Sequence, residues 1–409
     1  MLPPGAVAIL NANDVLPTNA DGTLRMMPNT DLFYLSGIEQ EETVLVIFPD
    51  ADDERMREMV FMRETSELIA IWEGHKLTKV QATEVSGIRS IHWSTDFPRM
   101  LHRLMCEAQS VWLNTNEHKR AVVEVESRDV RFIRDLRARY PLHDFRRLAP
   151  LLHTLRVVKD PMEVELIRHA CSITKAGFER VCQFVEPGVN ECEVEAEFAH
   201  EFVRRRGSFA YNPIIGAGRN SCVLHYLEND QVCRSGDVLL LDVAASYANY
   251  NSDLTRTIPI NGRFTRRQRQ VYDAVLRVLR ASTAGLTPGK LWSQWQAEAE
   301  DLVAQECVGL GLLKPKDLKV KVSDPSRKPV KKWFMHGNGH PIGLDVHDLG
   351  HMSQPFAPGW VMTVEPAIYI PEENLAVRLE NDVLITENGP VDLMADIPIE
   401  ADEIEALMK

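Results

Sequence analysis

Three shortages narrow the reading of this sequence before any motif is considered. Cysteine is scarce: the seven residues are Cys106, Cys171, Cys182, Cys192, Cys222, Cys233 and Cys307, an odd number with no C-x-x-C among them. That excludes a disulfide framework and a thiolate zinc site. Long apolar runs are missing too, and nothing approaches the ~20 residues of a membrane span. The start, "MLPPGAVAILNANDV", has no basic segment and an apolar run of only five residues, so the expected location is a reducing cytoplasm, without a secretory signal. Positive charge is in deficit: 46 Lys and Arg against 59 Asp and Glu leave a net charge of −13. Nucleic acid is therefore not an expected partner, because phosphates call for clustered basic residues. No internal repeat is visible. The "GAG" at 216–218 lacks the further glycine of a dinucleotide fingerprint.

Histidine, by contrast, is concentrated. "MHGNGHPIGLDVHDLGH" (Met335–His351) holds His336, His340, His347 and His351, four of the thirteen in the chain. Imidazole is the commonest metal ligand and titrates near neutrality. Gly337, Gly339 and Pro341 interrupt the stretch, so it is no helical zincin motif, and His336 and His340 need not share a helix face.

A chain of 409 residues has room for two domains. The division is expected near residue 155. Residues 1–155 read as an α/β domain, with strand-like runs at Glu42–Pro49, Glu67–Trp72 ("ELIAIW") and Ser110–Asn114 and a helix over Phe97–Glu107. In residues 156–409, Asp160 as N-cap, Pro161 at the first position and Glu163 in the first turn open a long helix that should stop before Pro187-Gly188. Further helices are expected near Glu191–Arg206, Arg266–Ala284 and Leu291–Val308, with strands from Val361 onward. The run "LKPKDLKVKVSDPSRKPVKK" reads as a solvated loop, with Lys331-Lys332 exposed.

Acids stand inside apolar strands. "VLLLDVA" sets Asp242 in a hydrophobic run, where an unpartnered carboxylate is costly. A hairpin centred between Tyr247 and Ala248 would place Asp253 directly opposite Asp242, and like charges at facing positions repel. The competing reading is a different register, or an arginine partner such as Arg256. "MTVEPAIYI" places Glu365 in another apolar strand, and "AVRLENDVLIT" puts Arg378 and Glu380 on one face. Four carboxylates bring four negative charges, which two divalent cations would balance. Oxygen-rich ligation with one imidazole suits Mn²⁺, and less selectively Co²⁺, Fe²⁺ or Zn²⁺. Two metals about 3.5–4 Å apart can share a bridging hydroxide and polarise a carbonyl, which is hydrolytic chemistry.

The motifs "LLLDVAASYANYNSDLTRT", "MHGNGHPIGLDVHDLG", "TVEPAIYI" and "VRLENDVLIT", in this order, resemble the pita-bread metallopeptidases and, within them, the Xaa-Pro aminopeptidases. "YNPIIGAGRNSCVLHYLEND" is similar to the family's stretch bearing an active-site histidine. "NTDLFYLSGIEQEETVLVI" resembles the N-terminal domain shared by aminopeptidase P and prolidase. The resemblance implies an α+β chain, with a pita-bread catalytic domain over 156–409 after a smaller α/β domain over 1–155. It implies that Asp242 chelates one metal, Asp253 and Glu380 bridge two, and His340 and Glu365 complete the second site. His225 and His347 would contact the scissile carbonyl, Arg378 would line the site, and His336 and Tyr369 would be pocket residues. Glu365 would also move the proton of the attacking hydroxide. His351 has no counterpart role.

The implied substrate is a peptide with proline second, and the implied assembly is a homo-oligomer, dimer or tetramer. Two departures stand out. Pro341 follows His340 where the family usually has an aromatic, and "WEGHKL" (Trp72–Leu77) replaces the family's W-x-G-R-R-L. In some relatives that tryptophan reaches a neighbouring subunit. The alternative activity is prolidase, a dipeptidase on the same fold, which must read the carboxylate attached to proline; Arg378 is the obvious candidate for that. A metal-free binding protein is disfavoured because all five ligand positions are intact. Methionine aminopeptidase is disfavoured by the large N-terminal domain.

Overall fold

Most apolar runs of the first third of the chain fold as strands of one sheet. The computed structural model describes every residue except Val123, Lys321, His351, Met352 and Lys409, so the reading of His351 lies outside the described residues. The chain divides into two units, Met1–Arg156 and Val157–Lys409.

In the first unit, β1 (Ala6–Asn11), β2 (Val44–Ile47), β3 (Glu58–Met62), β4 (Ser90–Trp93), β5 (Ser110–Leu113) and β6 (Asp144–Arg147) lie in the order β4-β3-β2-β1-β5-β6. β2 runs antiparallel to β1 and β3, and the remaining pairs are parallel. β1 is buried along its whole length: Val7 and Ile9 join one apolar core, Ala8 and Leu10 the other. Burial on both faces is why the run is uniformly apolar instead of alternating. The helices are α1 (Thr30–Ser36), α2 (Glu67–Glu73), α3 (Lys79–Ser86), α4 (Phe97–Glu107), α5 (Arg128–Arg139) and α6 (Ala149–Arg156).

One expectation is corrected here. "ELIAIW" is helix α2, not a strand: Ser66 caps it by accepting from the Ile69 amide, and none of its residues is buried. A six-residue apolar run fits either element, and the cap decides.

The second unit opens with α7 (Pro161–Phe184). Its capping box is the one the sequence suggests: Asp160 accepts from the Glu163 amide, and Glu163 accepts back from the Asp160 amide. There follow α8 (Glu191–Arg204), β7 (Ser208–Phe209), β8 (Ile214–Ala217), β9 (Val238–Asp242), β10 (Ala245–Tyr247), β11 (Tyr250–Asn251) and β12 (Thr255–Pro259). Then come α9 (Arg266–Ala284), α10 (Trp292–Gly309), β13 (Val361–Val364), β14 (Ala367–Ile370), β15 (Leu375–Arg378), β16 (Asn381–Thr386), β17 (Gly389–Asp392) and α11 (Ala401–Leu407). The sequence reading had not anticipated α11.

Two strand pairs in this unit share one plan. β9 pairs with β12 while β10 pairs with β11; β13 pairs with β16 while β14 pairs with β15. Each hairpin thus changes sheet halfway along, and each change carries a candidate acid. Asp242 ends β9, Asp253 lies between β11 and β12, Glu365 between β13 and β14, and Glu380 between β15 and β16. The acids expected within strands therefore stand at or beside strand breaks.

The register also differs from expectation. Ala248 and Asn249 both have positive φ (48° and 66°) and form a two-residue turn between the partners Tyr247 and Tyr250. This sets Thr255, not Asp253, opposite Asp242. The displacement is of two residues, so face parity is kept and Asp253 remains beside Asp242. Among the described residues no helix is long and apolar enough to cross a membrane, and all seven cysteines are free.

Candidate metal centre

The acids of the two hairpins converge. The Tyr211 hydroxyl lies 2.6 Å from both Asp242 Oδ1 and Asp253 Oδ1. A phenol has one proton to donate, so the trio is satisfied when one carboxyl keeps its own. Burial accordingly raises Asp242, against the opposing charge of Arg378. Candidate ligand atoms of Asp253, His340 and Glu380 all lie within 4.8 Å of one another. His340 Nε2 is 3.5 Å from Asp253 Oδ2 and 3.8 Å from Glu365 Oε1. The other nitrogen of that ring, Nδ1, stands 3.0 Å from the Pro341 carbonyl and donates to it, which leaves Nε2 facing the acids, a proton donor to them while the ring is charged and a ligand once it is neutral.

Backbone pairing presents these side chains. The Thr363 amide donates to His340 O and the Glu365 amide to Asn338 O, which laces the histidine loop along β13. The approach is close enough that a side-chain carbon at Gly339 would sit 2.0 Å from the Thr363 carbonyl oxygen. Glycine is required there by contact, whatever its backbone angles. Thr255 donates to Glu380 Oε2 at 2.7 Å, while Glu380 Oε1, fully buried, has no partner among the described residues.

Burial and mutual repulsion set the protonation. Glu380 is pushed well above the carboxylate range by burial and then by Asp253, Glu365 and Asp242. Glu365 is raised to about 7 by burial, with His340 and Arg378 opposing. Burial alone would lower His340; its hydrogen bond to Asp253 and the charge of Glu365 outweigh this and raise it to about 9. A cluster that holds protons only because its charges are crowded and dry is one that divalent cations would satisfy better. The donor set, carboxylates plus one imidazole, fits such ions.

A second network runs behind the acids. Arg378 donates through Nη2 to Asp242, through Nη1 to the Tyr369 hydroxyl at 2.8 Å and through Nε to Thr255 Oγ1 at 3.1 Å. Tyr369 in turn stands 2.9 Å from His336 Nε2, whose Nδ1 faces the Gly337 carbonyl. Donation passes from Arg378 to Tyr369 to His336, which requires a neutral imidazole. Burial, followed by the charge of Arg378, lowers His336 to about 3. Arg256 is not the partner of Asp242: it bonds the carbonyls of Thr255, Glu380 and Pro398 and the side chain of Asn381.

His225 and His347 stand outside the buried cluster, both exposed on loops. The His347 ring meets His340 edge-on at 4.4 Å, and His225 is near enough to His336 for its charge to act there. The loop of His225 is held by buried Glu191, which accepts from the Ala217 amide, the Gln231 amide and the Tyr226 hydroxyl. Sequence reasoning missed three participants: Tyr211, Thr255 and Asp382. Asp382 accepts from the Asp253 amide at 3.0 Å and from Cys171 at 3.6 Å. Its place two residues after Glu380 gave a signal, since strand alternation sets both on one face. For Tyr211 the residue pattern gave none.

Comparison with known proteins agrees with this geometry. Residues 165–387 match metallopeptidase family M24, and residues 1–112 match the aminopeptidase P N-terminal domain. The Xaa-Pro aminopeptidase of Escherichia coli K12 is 34% identical across 99% of this chain and 94% of that protein. Mouse Xaa-Pro aminopeptidase 3 is 30% identical over 93% of this chain and 76% of its own length. Among solved structures, an aminopeptidase P from Bacillus anthracis described as putative superposes with a TM-score of 0.92 at 29% identity, covering all of this chain and 94% of that one. Zinc-substituted E. coli aminopeptidase P in complex with product gives 0.88 at 31% identity, with the same coverage. The α+β architecture expected from the sequence, a pita-bread unit after a smaller N-terminal domain, is the one found. With its acids at the breaks of paired hairpins, the chain belongs to metallopeptidase family M24, in its aminopeptidase P branch.

Proposed function

We propose that this protein is a dinuclear metalloaminopeptidase that hydrolyses the bond between the first residue of a peptide and a proline in second position. The observation carrying this reading is the convergence of Asp253, Glu365 and Glu380 on His340, with Asp242 joined to Asp253 through Tyr211 and Glu380 Oε1 buried without a partner among the described residues. Those five residues would hold the ions, with Asp253 and Glu380 shared between two positions and Mn²⁺ preferred. Bound there, divalent ions supply Lewis acidity to a carbonyl oxygen and make water a nucleophile near neutral pH.

The remaining chemistry belongs to side chains. Glu365, beside His340, is assigned to take the proton of the attacking water and pass it to the departing proline nitrogen. His225 and His347, exposed at the rim, would donate to the carbonyl oxygen as charge gathers on it. Arg378, bonded to Asp242 and Tyr369, fixes the inner wall and adds to the burial that keeps His336 neutral. A peptidase that recognises its substrate by strand pairing loses the amide hydrogen at proline, so the ring itself has to be recognised. In this reading residues 1–155 form the N-terminal domain and 156–409 the catalytic one. The protein is cytoplasmic and a homo-oligomer, dimer or tetramer, with the exposed Leu68, Ile71 and Trp72 on α2 as apolar surface for such a contact.

What favours the aminopeptidase over prolidase is the occupation of nearby cations. Arg378 is buried, and all three of its nitrogens donate within the protein. Lys331, read from the sequence as exposed, is instead half-buried and paired with Glu300 at 2.9 Å. Neither is free to read a carboxylate on proline. The test is turnover of Xaa-Pro, Xaa-Pro-Xaa and longer peptides with Mn²⁺. Tripeptides and longer chains are expected to be cleaved at least as fast as dipeptides, and alanine in place of proline to cost activity steeply. Turnover confined to dipeptides would make the protein a prolidase.

A further inference from the structure

Lys159 immediately precedes the cap of α7, and its ammonium reaches back to Asp348 Oδ2 at 2.8 Å. Each side chain is 1% exposed, so this is a buried pair of full charges. Asp348 is the neighbour of His347. We propose that the Lys159–Asp348 pair positions His347 over the metal centre; the proposal rests on the reading of His347 as a substrate contact.

The loop that presents His347 is fastened at several points, and the pair holds the residue next to the histidine. The Asp348 amide donates to Pro341 O and the Leu349 amide to Asp348 Oδ1, which folds the loop back on itself. Asn251 donates through its side chain to Gly343 O and Leu344 O, which ties the loop's first half to the tip of the first hairpin. Lys159 holds the second half, and its own amide is fixed by donation to Gly359 O at 2.8 Å. At Gly343 a side-chain carbon would lie 2.3 Å from Asp348 Oδ2 and 2.8 Å from Lys159 Cε, so the pair is packed hard against the loop backbone. Within this clasp His347 is exposed while Asp348 and Leu349 are buried.

Stability does not account for such a pair, because two desolvated charges rarely outperform apolar side chains of the same shape. Direction does. An ammonium and a carboxylate at 2.8 Å fix the orientation of Asp348, and with it the backbone from which the His347 ring meets His340. Removing one charge alone would strand the other in the interior, so the informative variant removes both: Lys159→Met with Asp348→Asn, which keeps an acceptor for the Leu349 amide.

The experiment is a cycle in the Mn²⁺-loaded full chain: this double variant, His347→Ala, and the combination, each measured for kcat, KM, bound Mn²⁺ and thermal unfolding. The double variant is expected to keep its Mn²⁺ and its unfolding temperature and to lose about 10- to 100-fold in kcat with KM little changed, as displaced catalytic groups do. In the His347→Ala background the same change is expected to cost nothing further. An equal proportional loss in both backgrounds, or an unchanged kcat, overturns the clamp while leaving the site reading intact. An unimpaired His347→Ala enzyme overturns the role of His347 itself, and the clamp falls with it.

Discussion

The two broken hairpins of the catalytic unit follow one topology with different chemistry. The first, β9 to β12, offers two aspartates, each one methylene from its backbone; the second, β13 to β16, offers two glutamates on longer arms. The first carries no buried side-chain polar atom without a partner among the described residues. The second carries two, Glu380 Oε1 and Asp382 Oδ1. Neither cation facing the acids of the first hairpin belongs to it: Arg378, at Asp242, comes from the second hairpin, and His340, at Asp253, from the loop laced along β13. Arg256, in the first hairpin itself, is spent on carbonyls. Identical backbone plans thus divide the labour. One holds short, satisfied acids in place, and the other brings charge and unfilled valence to them.

The sharpest way to break this contrast is to remove one acid from each hairpin. Glu380→Ala is expected to abolish activity and to reduce bound Mn²⁺ from about two ions per chain to one or none, because it takes away a shared ligand. Asp242→Ala should leave about one ion, since Asp242 is assigned to a single position. Metal analysis after Mn²⁺ loading and removal of excess ion reads both. Equal losses from the two variants would overturn the assignment of Glu380 as a shared ligand and Asp242 as a single one.

His347→Ala comes next in size. It belongs to neither hairpin, so metal content should be unchanged while kcat/KM falls about 100-fold, the usual cost of one lost oxyanion contact. If the metals leave with His347, the division of the histidine cluster is wrong.

How much of this was legible in the sequence depends on the range of the interaction involved. Capping is local, so Asp160, Pro161 and Glu163 announce α7 without tertiary help. The converging acids were legible as well, because charge inside apolar runs is anomalous wherever the strands end. Register was not: Ala248 gives no hint that it accepts positive φ, and the sequence reading centred the hairpin one position too early. Nor could alternation reveal that each strand changes sheet at its acid. "ELIAIW" misled because its apolar residues face solvent in α2, against the expectation that such runs are buried. Tyr211 and Lys159 stayed hidden for a different reason: their partners lie 31 and 189 positions away, and only the fold brings them together.

A smaller effect follows from protonation in the second half. Glu365 titrates near 7 and His340 near 9 in the metal-free site, so both must shed protons when an ion binds. In the metal-free protein a carboxyl raised from 4.5 to about 7 contributes stability at low pH that is lost as pH rises through about 7. Metal reverses that loss. The rise in unfolding temperature on adding Mn²⁺ should therefore grow between about pH 6 and about pH 8. His336, lowered to about 3, is common to both forms and drops out of the difference. A Mn²⁺ shift that is flat across this range would show that the first hairpin's acids, not Glu365 and His340, govern binding.

The smallest expected effect bears on the loop laced along the second hairpin, at a residue whose side chain hydrogen-bonds to none of the candidate ligands. Asn338 is fully buried, and neither Oδ1 nor Nδ2 has a partner among the described residues. Its backbone is engaged: the amide donates to Gln296 Oε1 at 2.7 Å, and the carbonyl accepts from the Glu365 amide at 2.9 Å. A buried amide without hydrogen bonds costs about 1–3 kcal/mol. Leucine has a similar volume and no polar atoms, and it keeps both backbone contacts. Asn338→Leu is therefore expected to stabilise the protein by about 1 kcal/mol, a rise of about 2 °C or more in unfolding temperature, with metal content and kcat retained. A fall in unfolding temperature would mean that the amide is satisfied in solution by ordered water. The unfilled valence beside the candidate centre would then rest on the carboxylates of Glu380 and Asp382.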